Sequence, residues 1–426
     1  MRYSHRSLAR ISPDGVSTFL QTRYFMKSTS STVLGLTILF SAAASFAGPF
    51  GSSFYGDAPD EHHAWAIHDG NRPQPKIITP GTFSSAEQPG KPPSDAVILF
   101  DGSDLSKWEA DTGMGVPTKW VIRDGAMECV PGSGYIRTKE KFGDCQLHVE
   151  WAAPKRVQGD SQGRGNSGVF VMGLVEIQVL DNYNNPTYAD GMAGSVYGQH
   201  APLANALRPP GEFQVYDIIF RRPIYRDGKE VDPGYVTVFE NGVVVEDHAV
   251  IEGETGHMRR THAIPFPETG QLKLQDHGNP VSYRNIWYRP LPARNSEGGS
   301  DGYLSAEAAM AKRKEIAAGL RQDAEKQANS PNPLPQLHLL AESLVYDNDE
   351  ATHAKVEQMA AKYVTELAAL PADKLSARKD EARHLRDVFG YLARFKVIPD
   401  NMPPKVQLER LIKEQNWDKR SSGAAH

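Results

Sequence analysis

The sequence predicts an antiparallel two-sheet β-sandwich followed by a small α-helical bundle, and three observations carry that reading. From about residue 95 to 291, short runs alternate apolar and polar residues and are broken by Gly, Asn, Asp and Pro. No helical pattern interrupts these runs, which argues against a parallel sheet with crossover helices. After about residue 300 the period changes to that of a helix.

The 426-residue chain opens with a targeting pattern, so residues 1–47 are read as a signal peptide. Residues 32–47 are apolar, follow Lys27, and end in Ser45-Phe46-Ala47, with small residues where a signal peptidase requires them. Met26-Lys27 begins a signal of ordinary length, so an over-long start is an expectation here. The apolar run falls short of the roughly 20 residues of a membrane span, and an uncleaved anchor is the competing reading. The expectation is a periplasmic or secreted protein with no membrane span after cleavage. Residues 48–94, rich in Gly, Pro, Ser and Asp, read as an extended linker, with Trp65 and Ile67 clipping part of it to the body.

Within 95–291, the runs at 97–100, 120–125, 145–151, 167–173, 175–181, 213–220, 235–246, 271–276 and 282–288 read as strands. In 145–151, Leu147, Val149 and Trp151 share one face, and Gln146, His148 and Glu150 share the other. Glu240-Asn241-Gly242 supplies a hairpin turn. Residues 292–416 read as the helical domain. Its helices are expected over 305–328, 351–369 (Val356, Met359, Tyr363 and Leu367 in one stripe) and 379–395. Pro331, Pro333 and Pro335 separate the first two, and Pro399, Pro403 and Pro404 end the third. Residues 417–426 are expected to be a disordered tail. The helical stripes read as bundle core, and a protein partner for this domain is a further expectation.

A net charge of -5 and a pI near 6.3 give no electrostatic case for nucleic acid. Cys129 and Cys145 are the only cysteines. After export they can oxidise, but two buried thiols fit neighbouring strands equally well.

The densest polar stretch is 163–184. Alternation puts Glu176 and Gln178 on one strand face, about 7 Å apart, with Val175, Ile177 and Val179 facing inward. Asp181 reaches the polar side only where a bulge or the strand end intervenes. The Glu-x-Gln-x-x-Asp spacing resembles the Glu-x-Asp-x-x-Glu strand of laminarinase-type glucanases. Gln in place of a central carboxylate weakens two-carboxylate hydrolysis, because a neutral amide cannot hold a neighbouring acid protonated. The plain alternative is a solvated sheet face. Asn166, after a Gly-rich loop, supplies a donor and an acceptor, or merely a turn. Gln275 and His277 alternate onto one face near Arg284. His277 is a candidate acid or base, and Arg284 a candidate stabiliser of developing negative charge. Asp217, inside an apolar strand, is a buried-acid candidate for substrate binding, or a carboxylate satisfied by backbone N–H groups. The remaining histidines, among them His257, show no zinc spacing. Glu176, Asp181, Asp276 and His277 have the oxygen and nitrogen donors for a divalent cation, although their spacing does not establish one. No other cofactor is indicated.

At these residues the chain resembles the 3-keto-disaccharide hydrolase family. The resemblance covers about 95–291 and rests on 99–108 (LFDGSDLSKW), 134–139 (GYIRTK), 163–171 (GRGNSGVFV), 175–182 (VEIQVLDN), 213–223 (FQVYDIIFRRP), 235–245 (YVTVFENGVVV) and 274–291 (LQDHGNPVSYRNIWYRPL). It implies a jelly-roll sandwich of the concanavalin A-like lectin/glucanase type, and an enzyme that cleaves glycosides oxidised to a ketone at sugar C3. On that implication Glu176 or His277 transfers the proton, and Asp181 is a further catalytic candidate, paired with Glu176 in a glucanase reading. Asn166, Gln178, Asp217, Gln275, Asp276 and Arg284 are the candidates for holding a carbohydrate substrate. The competing functions are a lectin-like carbohydrate-binding module and a glucanase acting on unoxidised β-glucan. The helical domain is not required by the family core.

Overall fold

The computed structural model describes residues 56–260 and 262–418. The signal peptide expected over 1–47, the first part of the linker (48–55) and residues 419–426 of the tail lie outside the described residues. Fifteen strands are present among them. The first five are β1 (Val97–Phe100), β2 (Trp108–Ala110), β3 (Val121–Arg123), β4 (Ala126–Glu128) and β5 (Ile136–Phe142). The next five are β6 (Cys145–Ala152), β7 (Ser167–Val171), β8 (Val175–Val179), β9 (Gln214–Arg221) and β10 (Ile224–Arg226). The last five are β11 (Lys229–Asp232), β12 (Tyr235–Glu240), β13 (Val243–Val250), β14 (Gly270–Leu274) and β15 (Ser282–Pro290).

They form an antiparallel sandwich. One sheet has eight strands in the order β13-β12-β9-β6-β15-β4-β3, with β1 added beside β15. The other has five, β2-β5-β14-β7-β8, and β10-β11 make a separate ribbon. The expected alternation in β6 holds: Leu147, Val149 and Trp151 enter the core with Val169, Ile177, Tyr216, Leu272 and Tyr283. The Asn241-Gly242 turn has φ 52° and 84°, the left-handed pair that closes a two-residue hairpin between twisted strands. Cys129 and Cys145 are unbridged, buried thiols in this core.

Six helices follow. They are α1 (Ala306–Lys326), α2 (Leu334–Tyr346), α3 (Glu350–Ala368), α4 (Ala372–Ser376), α5 (Lys379–Arg394) and α6 (Pro403–Glu414). Two of these correct the reading of proline as a stop. Pro335 lies in the first turn of α2, and Pro403 and Pro404 open α6. At those positions the missing N–H has no intrahelical partner to lose, and the fixed φ favours the helix. Trp417, assigned to the tail, is buried in the bundle core with Leu408 and Ile412, so the fold runs past the expected boundary.

The linker is a structured strap with two docking surfaces. Ala64 and Ala66 pack on the helices, Tyr346 donates to Asp69 Oδ2 at 2.6 Å, and Trp65 meets the Tyr346 ring edge-on. Ile67 corrects its expected role, being 55% exposed. Farther on, residues 84–90 lie over the outer face of the eight-stranded sheet, which explains why β6 is buried on both faces. No helix among the described residues is long and apolar enough to cross a membrane.

Candidate functional site

The outer face of the five-stranded sheet gathers the larger group of predicted site residues. Directly paired residues share a face, and the register pairs Phe170 with Glu176 and Gly168 with Gln178. Lys273 pairs with Phe170 and Arg137, and Glu109 with Arg137. Glu176, Gln178, Gly168, Phe170, Lys273, Arg137 and Glu109 therefore line one surface, while Val175, Ile177 and Val179 fill the core behind it.

Glu176 is the unusual group on this surface. It is 6% exposed, and burial alone pushes its carboxyl up to about 8. Its side chain has no hydrogen-bond partner among the described residues, whereas its backbone is held by Thr255 Oγ1 and by the Tyr197 N–H. The carboxyl rests over Gly168. A Cβ at that glycine would stand 2.3 Å from Glu176 Oε1 and 2.9 Å from Phe170 Cε2. Gly168, inside β7, thus matters for the space it leaves.

That space gives a direct prediction. Gly168→Ala is expected to leave the melting temperature within a few degrees of wild type, since the clashing atoms are the ends of two side chains, Glu176 and Phe170, and not backbone. Turnover is expected to fall about 10²-fold, the usual cost of displacing a reacting group by an ångström. Unchanged turnover would show that the carboxyl position is not used.

Around Glu176 lie two polar networks. Asn166 Nδ2 donates to Gln162 O (2.8 Å), and Gln178 Nε2 donates to Gln162 Oε1 (3.1 Å) and Gly191 O (3.2 Å). These amides fix the loops at the end of β8. On the other side, Gln275 Nε2 donates to Tyr135 Oη at 2.8 Å, and Gln275 Oε1 is buried without a partner among the described residues. Farther across the face, Arg137 pairs with Glu109 (2.9 Å) and Asp111 (3.1 Å), and Lys273 pairs with Asp111 (3.0 Å).

The other predicted residues are placed differently. Asp181 lies beyond the end of β8 and accepts two hydrogen bonds from Arg164, at 2.7 and 3.2 Å, which commits its carboxylate. Asp276 accepts from the Gly134 and Gly278 N–H groups in the turn after β14, and these bonds help hold its carboxyl below the usual range despite burial. His277 is exposed in that turn, and its ring has no hydrogen-bond partner among the described residues. The cation grouping of Glu176, Asp181, Asp276 and His277 is not assembled. Among the described residues no three His, Cys, Asp or Glu side chains converge as metal ligands.

Asp217 and Arg284 lie on the opposite sheet, facing away from the core; Arg284 is covered by the strap, whereas the Asp217 side chain is 41% exposed, which corrects the expectation of a buried acid. Arg284 Nε bonds Glu150 Oε2 at 2.7 Å, and its other nitrogens bond the carbonyls of Glu87 and Ser85, each at 2.9 Å. Asp217 bonds His148 Nδ1 at 2.7 Å. Asn285, at φ 48°, sits at the register shift of β15 and puts its own side chain on Glu150 as well. Burial opposes charge on His148, but the Asp217 and Glu150 bonds outweigh it and raise its pKa. This cluster fastens the strap and is separated from Glu176 by the sandwich core.

Comparison with known proteins places this sandwich. Residues 95–289 match the model of the 3-keto-alpha-glucoside-1,2-lyase-like domain. A 3-keto-disaccharide hydrolase of Bacteroides thetaiotaomicron is 23% identical over 239 residues, which cover 46% of this chain and 78% of that one. The sandwich, residues 95–289, is a domain of the 3-keto-disaccharide hydrolase family. A crystallised protein of Parabacteroides distasonis, provisionally named a glycosyl hydrolase, is 45% identical and covers 52% of this chain and 93% of its own, with a TM-score of 0.49. A second from that organism is 22% identical, covers 46% and 94%, and has a TM-score of 0.35.

In this domain of the 3-keto-disaccharide hydrolase family, several groups around Glu176 escape sequence reasoning. Tyr188, Tyr197 and His257 come from irregular loops, where no periodicity assigns a face. Lys273 was legible in principle, because it alternates in phase with Gln275 along 271–276. Tyr135 lies in the run that carried the resemblance, yet only the fold brings it to Gln275.

Proposed function

We propose that this chain is a carbohydrate-active enzyme that cleaves glycosides bearing a ketone at sugar C3, by elimination followed by addition of water. The family of the sandwich domain supports the carbohydrate-active part. The observation that carries the mechanism is the solitary, buried Glu176 carboxyl, raised to about 8. A C3 ketone acidifies the C2 proton. A base whose pKa lies near the working pH removes that proton efficiently, and the resulting enolate expels the C1 glycosidic oxygen. Water adds to C1 while C2 regains a proton, and the net change is hydrolysis.

The surroundings suit this chemistry better than two-carboxylate hydrolysis, which requires a second acid across the scissile bond. Asp181 is held by Arg164, and Gln178 is neutral and anchored to Gln162 and Gly191. In this reading Gln275 and Tyr135 face the sugar hydroxyls, and Phe170 offers an apolar ring to a sugar face. The apolar run at 32–47 supports a periplasmic or secreted location, which we propose with the activity.

The test is incubation of the full chain with methyl and aryl 3-keto-glucosides, the parent glucosides and an unoxidised β-glucan, with product read by mass. Cleavage confined to the keto substrates is the expected result. Reducing sugar released from the β-glucan would establish a glucanase instead. Binding without turnover of any of them would establish a lectin-like module.

A further inference from the structure

Beside Glu176 stands a chain of three ring groups that the mechanism above leaves unused. Tyr197 Oη lies 2.8 Å from Tyr188 Oη and 2.8 Å from His257 Nδ1. A phenol has one proton, so in at least one of these contacts Tyr197 is the acceptor. When both neighbours donate, its own O–H is free to point elsewhere. The Tyr197 backbone N–H is bonded to the Glu176 carbonyl at 3.1 Å, so the relay is anchored to the strand that carries the carboxyl. Val196, the residue before, bridges to Ile177 and is fully buried, which fixes the loop along the edge of β8. His257 is exposed, and Tyr188 is 44% exposed, so the chain runs from solvent to the neighbourhood of Glu176.

We propose that Tyr197 is the proton donor to the departing glycosidic oxygen, with His257 as the positioning residue that orients it and restores its proton. The assignment rests on the elimination reading given above. The Glu176 carboxylate takes the C2 proton. The C2–H electron pair becomes the C1–C2 π bond as the C1–O bond breaks, and the leaving oxygen takes the Tyr197 hydroxyl proton. The tyrosinate regains a proton from His257 Nδ1–H, and the imidazole is reprotonated from water. Addition to C1 of the hydroxide left by that water, with return of the Glu176 proton to C2, completes a balanced hydrolysis.

Leaving-group dependence tests this assignment, because a nitrophenolate departs without protonation and a methoxide does not. In Tyr197→Phe, turnover of methyl 3-keto-glucoside is expected to fall about 10²–10³-fold, the usual range for loss of a general acid. Turnover of the nitrophenyl 3-keto-glucoside is expected to stay within about five-fold of wild type. His257→Gln should shift the same ratio in the same direction by a smaller factor. A purely structural role would lower both substrates alike. Equal losses on the two substrates, or no loss on either, overturn the assignment, with melting temperature measured in parallel to show that the variants are folded. If wild type cleaves neither keto-glucoside, the elimination reading itself fails, an outcome distinct from equal losses in the variants.

Discussion

Glu176→Gln is expected to abolish turnover of 3-keto-glucosides, by about 10²–10⁴-fold, while making the protein more stable at pH 8. The two effects share one cause. Burial lifts the folded-state pKa from the ordinary 4.5 to about 8. Between those values the folded state holds a proton that the unfolded chain has released, so stability falls as pH rises from about 4.5 through 8. Glutamine keeps the shape and removes the charge. The gain should be under about 1 kcal/mol near pH 5 and approach the order of 5 kcal/mol above pH 8, since each tenfold change in proton affinity is worth about 1.4 kcal/mol. Catalysis has the opposite slope. The ionised carboxylate is the base, so wild-type kcat/KM should rise with pH up to about 8. Thermal melts at pH 5 and 8, with a pH–rate profile, check both halves. A variant that keeps wild-type turnover would remove Glu176 from the mechanism.

Arg284→Ala is expected to act oppositely, with a large loss of stability and little change in turnover. The guanidinium stacks 3.8 Å over the Phe213 ring, binds Glu150, and holds the strap by two carbonyls. Glu150 has no exposed side-chain surface, so removing its cation leaves a buried carboxylate with only neutral partners and His148. Breaking a buried pair in this way costs about 3–5 kcal/mol. Arg284→Lys should recover little, because an ammonium cannot reproduce the planar fork that serves Glu150 and the strap together. Denaturant melts measure the first effect. Assays well below the melting midpoint measure the second, and a raised KM there would return Arg284 to the substrate site.

These two residues mark how far the sequence carries. The period-two alternation of β6 and β8 follows from the chain alone, because successive side chains must leave a strand on opposite sides. Glu176 and Gln178 were therefore assignable to one face, with Val175 and Ile177 behind them. Proline was legible as a helix boundary but ambiguous in sign. The same ring that ends a helix suits the first turn of the next, as Pro403 and Pro404 show.

Alternation says nothing about which sheet a strand joins. Gln275 and Arg284 are nine positions apart, yet β14 and β15 enter different sheets, and the two side chains end on opposite outer faces of the sandwich. The linker is a comparable case. Gly, Pro and Ser made residues 84–90 read as part of an extended linker, and their order comes from carbonyls that Arg284 and Asn285 claim from a distance of about 195 residues. Asp181 likewise met its partner, Arg164, only where the loop before β7 folds back on the end of β8.

The sequence by itself determined the sandwich-then-bundle order, the inward and outward faces of β6 and β8, and the candidacy of Glu176. Tertiary structure alone decided which candidates share a surface, that Gly168 leaves room for the carboxyl, and that Tyr197, anchored to the Glu176 backbone, meets His257. The physical reason is one of range. Facing is set by backbone geometry between neighbours in the chain. Burial, the raised pKa of Glu176 and the convergence of loops are set by residues that only strand pairing and packing bring together.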